Sequence, residues 1–249
     1  MSHIHLPDGV LPLWLCVLGY LIVSIYLFFA GKNLKKNNDN KKLALTGIFA
    51  ALMMIAMSVE IVPISYHINI SALSGIVLGP ILSPVAILVT NIFLAFMGHG
   101  GITVIGLNTI VMSVEAVIAF YIFNFLKNKI NKSFLSVFLS VFIALFISCW
   151  LSIGIVYFGT GNLGETMYHH EHEKVGSIIQ FEGKEHEEEE HHKHQETSFD
   201  FKKFLLIVLS FGFIGWSTES IITAFIVKYI QQIKPEMLEE KKEIKSNEF

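Results

Sequence analysis

Six stretches of this chain, at roughly 11–30, 43–62, 72–97, 104–126, 134–157 and 204–230, are apolar and nearly free of charge. At 1.5 Å rise per residue, each is long enough to cross a hydrocarbon core of about 30 Å as a helix. Lipid offers backbone N–H and C=O groups no partner, so only helices and closed barrels span it. Continuous apolar runs, without strand-like alternation, select the helix. Over all 249 residues the chain is 53% hydrophobic and 16% charged, with a mean hydropathy of +0.57. That is too apolar for a soluble single-core domain. The expected fold is all-α: one polytopic membrane helical bundle covering 1–249, with residues 231–249 as a charged cytoplasmic tail.

Lysine placement orients the bundle. The block GKNLKKNNDNKK (31–42) holds five lysines, KNKINK (127–132) holds three, and no lysine precedes Lys32. The positive-inside rule puts both blocks in the cytoplasm and the N-terminus outside. Three apolar runs separate the blocks, and three full crossings would place them on opposite faces. One run must therefore cross twice or re-enter. The 72–97 run carries Gly79-Pro80 and Pro84 near its middle, where a helix breaks. The expectation is about seven transmembrane segments, N-terminus outside and C-terminus inside.

All 18 basic residues are lysine, which removes the planar arginine fork used for phosphate clamps and base readout and argues against a nucleic-acid partner. Cys16 and Cys149 both sit in apolar runs and read as small buried hydrophobes. No G-x-x-x-x-G-K-[ST] phosphate loop occurs, so the chain does not hydrolyse ATP by that route. On this topology all eleven histidines (His3, His5, His67, His99, His169, His170, His172, His186, His191, His192 and His194) fall outside the cytoplasm. Imidazole is a common ligand of nickel, copper and zinc, so one-sided histidine points to metal collection from outside.

The first residues, MSHIHLPDGVLP, lack the basic start of a signal peptide. Retention of this terminus, with Met1 removed to expose the Ser2 amine, is the expectation. A free amine, the backbone amide of His3 and its imidazole form fused chelate rings of planar nitrogens, a geometry suited to Ni(II). If Met1 is kept, Met1-Ser2-His3 could supply four nitrogens unaided. Pro7, Gly9 and Pro12 stiffen the lead into the first span.

The segments HLPDGVLP (5–12), HINISALSGIVLGP (67–80), GHGGITVIGLNTIVM (98–112) and GWSTESIITAFIVKYIQQIKPEML (215–238) together resemble the CbiM/NikM family. These are the substrate-capture components of energy-coupling-factor ABC transporters for cobalt and nickel. The resemblance implies a multi-pass protein of the cell's inner or plasma membrane whose cargo is Ni(2+) or Co(2+), with a link to cobalamin biosynthesis. It implies as partners a transmembrane coupling subunit, ATP-binding subunits and a small accessory membrane subunit. It implies no enzymatic activity and no bound cofactor. It also implies that the metal is held by the terminal amine, the amide and ring of an early histidine, and a later histidine matched by His67. Aligned on the PDG turn the early histidine is His5; counted from a processed Ser2 amine it is His3, and amine chemistry favours His3. His99 stands where relatives carry aspartate, and reads either as a transfer ligand or as a loop residue.

Glu60, Glu115 and Glu219 lie inside apolar runs with Asn91 and Asn108. Intramembrane ionisable groups are costly and turn to the bundle interior. Asn108 and Asn69 are candidates to orient the ligands, Glu115 reads as an interhelical hydrogen-bonding residue, and Glu219 has no assignable role. Gly47 and Ala51 form a small-residue step that either docks on the coupling subunit or packs within the chain. The 158–202 loop is expected to be extracytoplasmic and disordered; residues 165–200 hold ten glutamates and seven histidines, a composition that cannot bury a core. It could concentrate metal or merely be hydrophilic.

A self-contained divalent metal permease is the alternative. It would set His-x-x-x-His or Asp-x-x-x-His pairs within spans, and none occurs. A hydrolase built on Ser217 or Ser220 would need a histidine at membrane depth, which is absent on this topology. The topology is checked by labelling intact cells carrying Asn38→Cys or Gln195→Cys. Only the second should react from outside; labelling at 38 would reverse the orientation.

Overall fold

A computed structural model describes residues 8–9, 11–37, 40–58, 67–130, 133–160, 201–235 and 238. The described residues form six helices and no strand: α1 (Leu13–Asn37), α2 (Asn40–Ser58), α3 (Ser71–Phe96), α4 (Ile105–Leu126), α5 (Ser133–Thr160) and α6 (Phe201–Ile233). The chain is thus the all-helical bundle that its apolar runs require. Five of these helices, α1 to α5, are long and apolar enough to cross a membrane, and the chain is a multi-pass membrane protein. Trp14, Leu21, Ile25, Phe28 and Phe29 of α1 face outward, as a lipid-contacting helix demands.

Helix ends run past the apolar stretches. The two sides of the 31–42 lysine block belong to α1 and α2, because lysine is a good helix former once its charge has reached water. The segment between α5 and α6 is likewise shorter than expected, 161–200, and lies outside the described residues together with 239–249 of the tail.

The break expected in the third run is real. Gly79 takes φ 80° and ψ 176°, non-helical values that a residue with a side chain would resist, and Pro80 and Pro84 follow it. Position along α4 shows how far α3 turns. Asn69 and Ser71 meet Glu115, Gly75 meets Ala116, and Gly79 meets Phe120. Past the break, Asn91 is back beside Thr109 and Met112. The second half of α3 therefore retraces about 15 Å of α4 in the opposite direction, and the segments before and after α3 come to one end of the bundle. A break within a bundle strands backbone groups. The Pro80 carbonyl would normally accept from residue 84, which is a proline and has no N–H. The Tyr26 hydroxyl of α1 donates to that carbonyl at 2.7 Å, and also to Ile81 O at 3.1 Å.

Close helix approach holds the folded-back α3 in place. A Cβ at Gly75 would stand 2.0 Å from the Ala116 carbonyl oxygen, and one at Gly106 would stand 2.6 Å from the Gly19 backbone. Met53, Ile87, Ala116, Val141, Leu145 and Ala224 fill the interior between the helices. Ser148 bridges α5 to the Val111 carbonyl of α4, and Thr90 bridges α3 to the Ala50 carbonyl of α2. Gly47 behaves differently, since nothing lies within 4 Å of a Cβ placed there, and both it and Ala51 are exposed. Among the described residues, nothing packs on Gly47.

Gly75→Ala is expected to lower stability by about 1–3 kcal/mol through overpacking against backbone, overriding the better helix propensity of alanine. Gly47→Ala, with open space for its Cβ, should instead be neutral or raise stability by up to about 1 kcal/mol through helix propensity. Thermal unfolding of both variants in detergent checks the contrast.

Candidate metal centre

The site is built from three pieces at one end of the bundle: the non-helical segment 67–70 before α3, the loop 97–104 between α3 and α4, and the lead into α1. A helix that begins inside a bundle leaves its first N–H groups without partners. Here α3 is capped by side chains from its own approach and from α4. Asn69 accepts the Ser71 N–H through Oδ1 at 2.9 Å and donates through Nδ2 to Ser71 Oγ at 2.8 Å. Glu115 of α4, fully buried, accepts from Ser71 Oγ, from Asn69 Nδ2 at 3.3 and 3.4 Å, and from the Ala72 N–H. A carboxylate at a helix N-terminus is favourably placed against the helix dipole. Glu219 of α6, 1% exposed, accepts the main-chain N–H of Asn69 at 3.1 Å.

The 97–104 loop is fixed from two sides. Tyr20 of α1 donates its hydroxyl to the Ile102 carbonyl. Asp8 accepts the Ile102 N–H at 2.8 Å and the Thr103 N–H at 2.9 Å, with the Thr103 hydroxyl also on its Oδ1. Gly101 makes room for it: a Cβ there would fall 1.9 Å from Asp8 Oδ1. Partial burial pushes the Asp8 carboxyl up. The hydrogen bonds from the Thr103 hydroxyl and the Thr103, Ile102 and Val104 amides outweigh that and hold it below its ordinary 3.8.

These supports bring His67 and His99 together. Their ring centroids lie 5.3 Å apart with the planes at 86°, although 32 residues separate them in sequence. With metal–nitrogen bonds of about 2.1 Å, two imidazoles sharing an ion stand roughly 5 Å apart between ring centres, so the spacing permits a common ion. Among the described residues no group of three or more His, Cys, Asp or Glu side chains is placed to hold a metal, so the pair needs further donors.

The other sequence candidates divide cleanly. Met1, Ser2, His3 and His5 lie outside the described residues, as do Glu60 and the histidines of the 161–200 segment. Asn69 is two residues from His67 and buried, and it is bonded to both Glu115 and Glu219. Asn108 is buried under the other arm, 3.6 Å from a Cβ placed at Gly100. Asn91 bonds Thr109 and serves the α3–α4 contact. Ser217 and Ser220 donate to carbonyls of their own helix, as structural serines do. Sequence reasoning missed the Asp8 clamp, the Tyr20 tie and the joint hold of Glu115 and Glu219 on Asn69. The signal for Asp8 was present: an acid next to Gly9 in a chain whose 98–104 segment, GHGGITV, is rich in accessible amides.

The family model described as the cobalt uptake substrate-specific transmembrane region, CbiM, matches residues 5–237. The chain is 32% identical over 137 residues to the cobalt transport protein CbiM of Clostridium tetani, covering 51% of this chain and 56% of that one. A putative metal transport protein of Methanocaldococcus jannaschii is 34% identical over 134 residues, covering 51% and 60%. The chain thus aligns with little more than half the length of the curated relatives it matches. Two crystal structures described as a truncated transition metal transporter and a transition metal transporter superpose with TM-scores of 0.66 and 0.63. They are 17% and 19% identical and cover 92% of this chain, with 99% and 93% of theirs; they share its fold.

Because bonding depresses the Asp8 pKa, the clamp is complete above pH 3.8 and is lost as pH falls through the lower folded value. Asp8→Asn removes the charge at every pH. Hydrogen exchange should show the Ile102 and Thr103 amides protected at pH 5–7 in the parent. In the variant they should exchange at least about tenfold faster, since charge-assisted bonds are the strong ones. Equal protection in both would mean the loop needs no clamp.

Proposed function

The chain belongs to the CbiM family, and from that premise we propose that it captures cobalt or nickel ions at the outer membrane face as the substrate-specific component of an energy-coupling-factor transporter. The observation that carries this reading is the convergence of His67, His99 and the Asp8-clamped lead at one end of the bundle. Asp8 bonds the amides of residues 102 and 103, three and four residues from His99. The six residues from Asp8 back to Ser2 reach at most about 20 Å. The amine is therefore on a tether long enough to reach the His67–His99 pair and short enough to stay near it. The ligands in this reading are the Ser2 amine, the His3 amide and ring, and His67. Met1, His5 and His99 are the substitutes. Asn69 and Asn108 hold the segments that bear His67 and His99.

The lysine-rich 31–42 and 127–132 blocks sit at the end opposite the site, because α1 and α4 both lead away from it. With lysine inside, the site faces outward, and the chain has seven segments if the two halves of the re-entrant α3 are counted separately. The exposed step at Gly47 and Ala51 is the docking surface for a transmembrane coupling subunit, through which ATP-binding subunits act. The 161–200 segment concentrates metal by weak imidazole and carboxylate ligation.

Purified protein with an authentic terminus should bind one nickel or cobalt ion tightly. His3→Ala or His67→Ala should lose it, and so should residues added ahead of Ser2, which turn the amine into an amide. Metal stoichiometry across these proteins is the measurement. Undiminished binding in the extended protein would remove the amine from the site, and undiminished binding in His67→Ala would remove the site itself.

A further inference from the structure

We infer that Glu219, with Glu115 beside it, is a positioning residue for metal capture: through Asn69 it sets the direction in which His67 is presented to the cargo. The inference rests on the proposed role of His67 as a ligand. Residues 67–70 are not helical, so no internal ladder of backbone bonds holds them. Asn69, 3% exposed, is the point at which this segment is gripped. Its main-chain N–H goes to Glu219 Oε1 on α6, and its side chain goes to Glu115 on α4 and to Ser71 at the head of α3. Both the main chain and the side chain of Asn69 are thereby fixed, two residues from the imidazole.

The choice of residue also needs a reason beyond packing. Glu115 and Glu219 are 0% and 1% exposed, inside helices that are otherwise apolar or hydroxyl-bearing at this depth, with Met112, Ala116, Ser220 and Ala224 as neighbours along the chain. A carboxylate is among the costliest side chains to place within a membrane bundle, and a leucine would serve close packing better. Glu115 has one clear employment in capping the N-terminus of α3 through Ser71 and Ala72. Glu219 accepts the Asn69 N–H and so ties α6 to the segment bearing His67. Ligand orientation must be held to within about 0.5 Å for productive coordination, and a bond at this point serves that end.

The test uses full-length protein with an authentic terminus, titrated with nickel(II) alone and with cobalt(II) alone. Parent, Glu219→Gln, Glu219→Leu and His67→Ala are compared by Kd, by the visible absorption of the bound ion, and by the melting temperature of the metal-free protein. Glu219→Gln keeps an acceptor for the Asn69 N–H and should stay within about threefold of the parent Kd. Glu219→Leu should bind about 10–100-fold more weakly, the usual loss when a ligand's supporting partner is removed. Its absorption bands should shift as well, and its metal-free melting temperature should fall, since the buried Asn69 N–H loses its acceptor. A merely structural glutamate would give the lower melting with parent-like affinity and unshifted bands. Parent-like affinity in Glu219→Leu, or equal losses in the Gln and Leu variants, would overturn the inference. If Leu does not insert, Glu219→Ala takes its place under the same criteria. Loss of binding in His67→Ala alone would leave the site standing and this inference fallen. Parent-like binding in His67→Ala would remove both.

Discussion

A helix that stops inside a membrane bundle leaves amides and carbonyls that lipid cannot satisfy, and α3 does so twice, at its start and at Gly79. Each unsatisfied group there costs several kcal/mol, so the rest of the bundle has to supply partners. Glu115, Asn69 and Ser71 answer the start; Tyr26 answers the carbonyl left open by Pro84. These bonds come from α1 and α4 as well as from α3 itself. The broken helix is therefore the element that dictates where polar residues occur in its neighbours.

The break also makes the site. An unbroken helix of 26 residues would carry its ends about 39 Å apart, and His67 and His99 would sit near opposite membrane faces. Reversal at Gly79 returns the chain to the end it left. His99 can then pack its ring against His67, and Asp8 can clamp the loop between α3 and α4. Backbone-to-backbone contact at Gly75 and Gly106 keeps this arrangement rigid. Rigidity suits the proposed capture role, because donors already in position bind an ion without the cost of ordering them.

Polar side chains in the bundle divide by what they touch. Thr90 and Ser148 bond carbonyls of neighbouring helices, Asn91 bonds the Thr109 hydroxyl of α4, and Ser220 bonds a carbonyl of its own helix. Asp8, Tyr20, Asn69, Glu115 and Glu219 bond the two short segments that bear the histidines. The second group bears on the proposed site, and its members come from the N-terminal lead, from the 67–70 segment itself and from three helices, α1, α4 and α6.

Much of this was legible in the sequence. Apolar run length required helices, because nothing else satisfies a backbone in lipid from a single segment. Gly79, Pro80 and Pro84 announced the break, because glycine admits the turned φ and proline withholds the N–H. The four motifs that resemble the CbiM/NikM family, and the match over 5–237, agree on what kind of chain this is. Other features depended on which side chains the folded chain sets side by side. Nothing in the spacing of Glu115 and Glu219 tells that both reach Asn69, since three separate segments must first be packed. The step at Gly47 and Ala51 reads the same in sequence whether it faces a neighbouring helix or open space, and in the folded bundle both residues are exposed among the described residues. Composition and local backbone chemistry determine which elements form and where they must break, because those depend on neighbours along the chain. The pairing of His67 with His99, the Asp8 clamp and the hold on Asn69 are decided by tertiary packing, because each joins residues that only a reversed α3 brings within hydrogen-bonding or ring-contact distance.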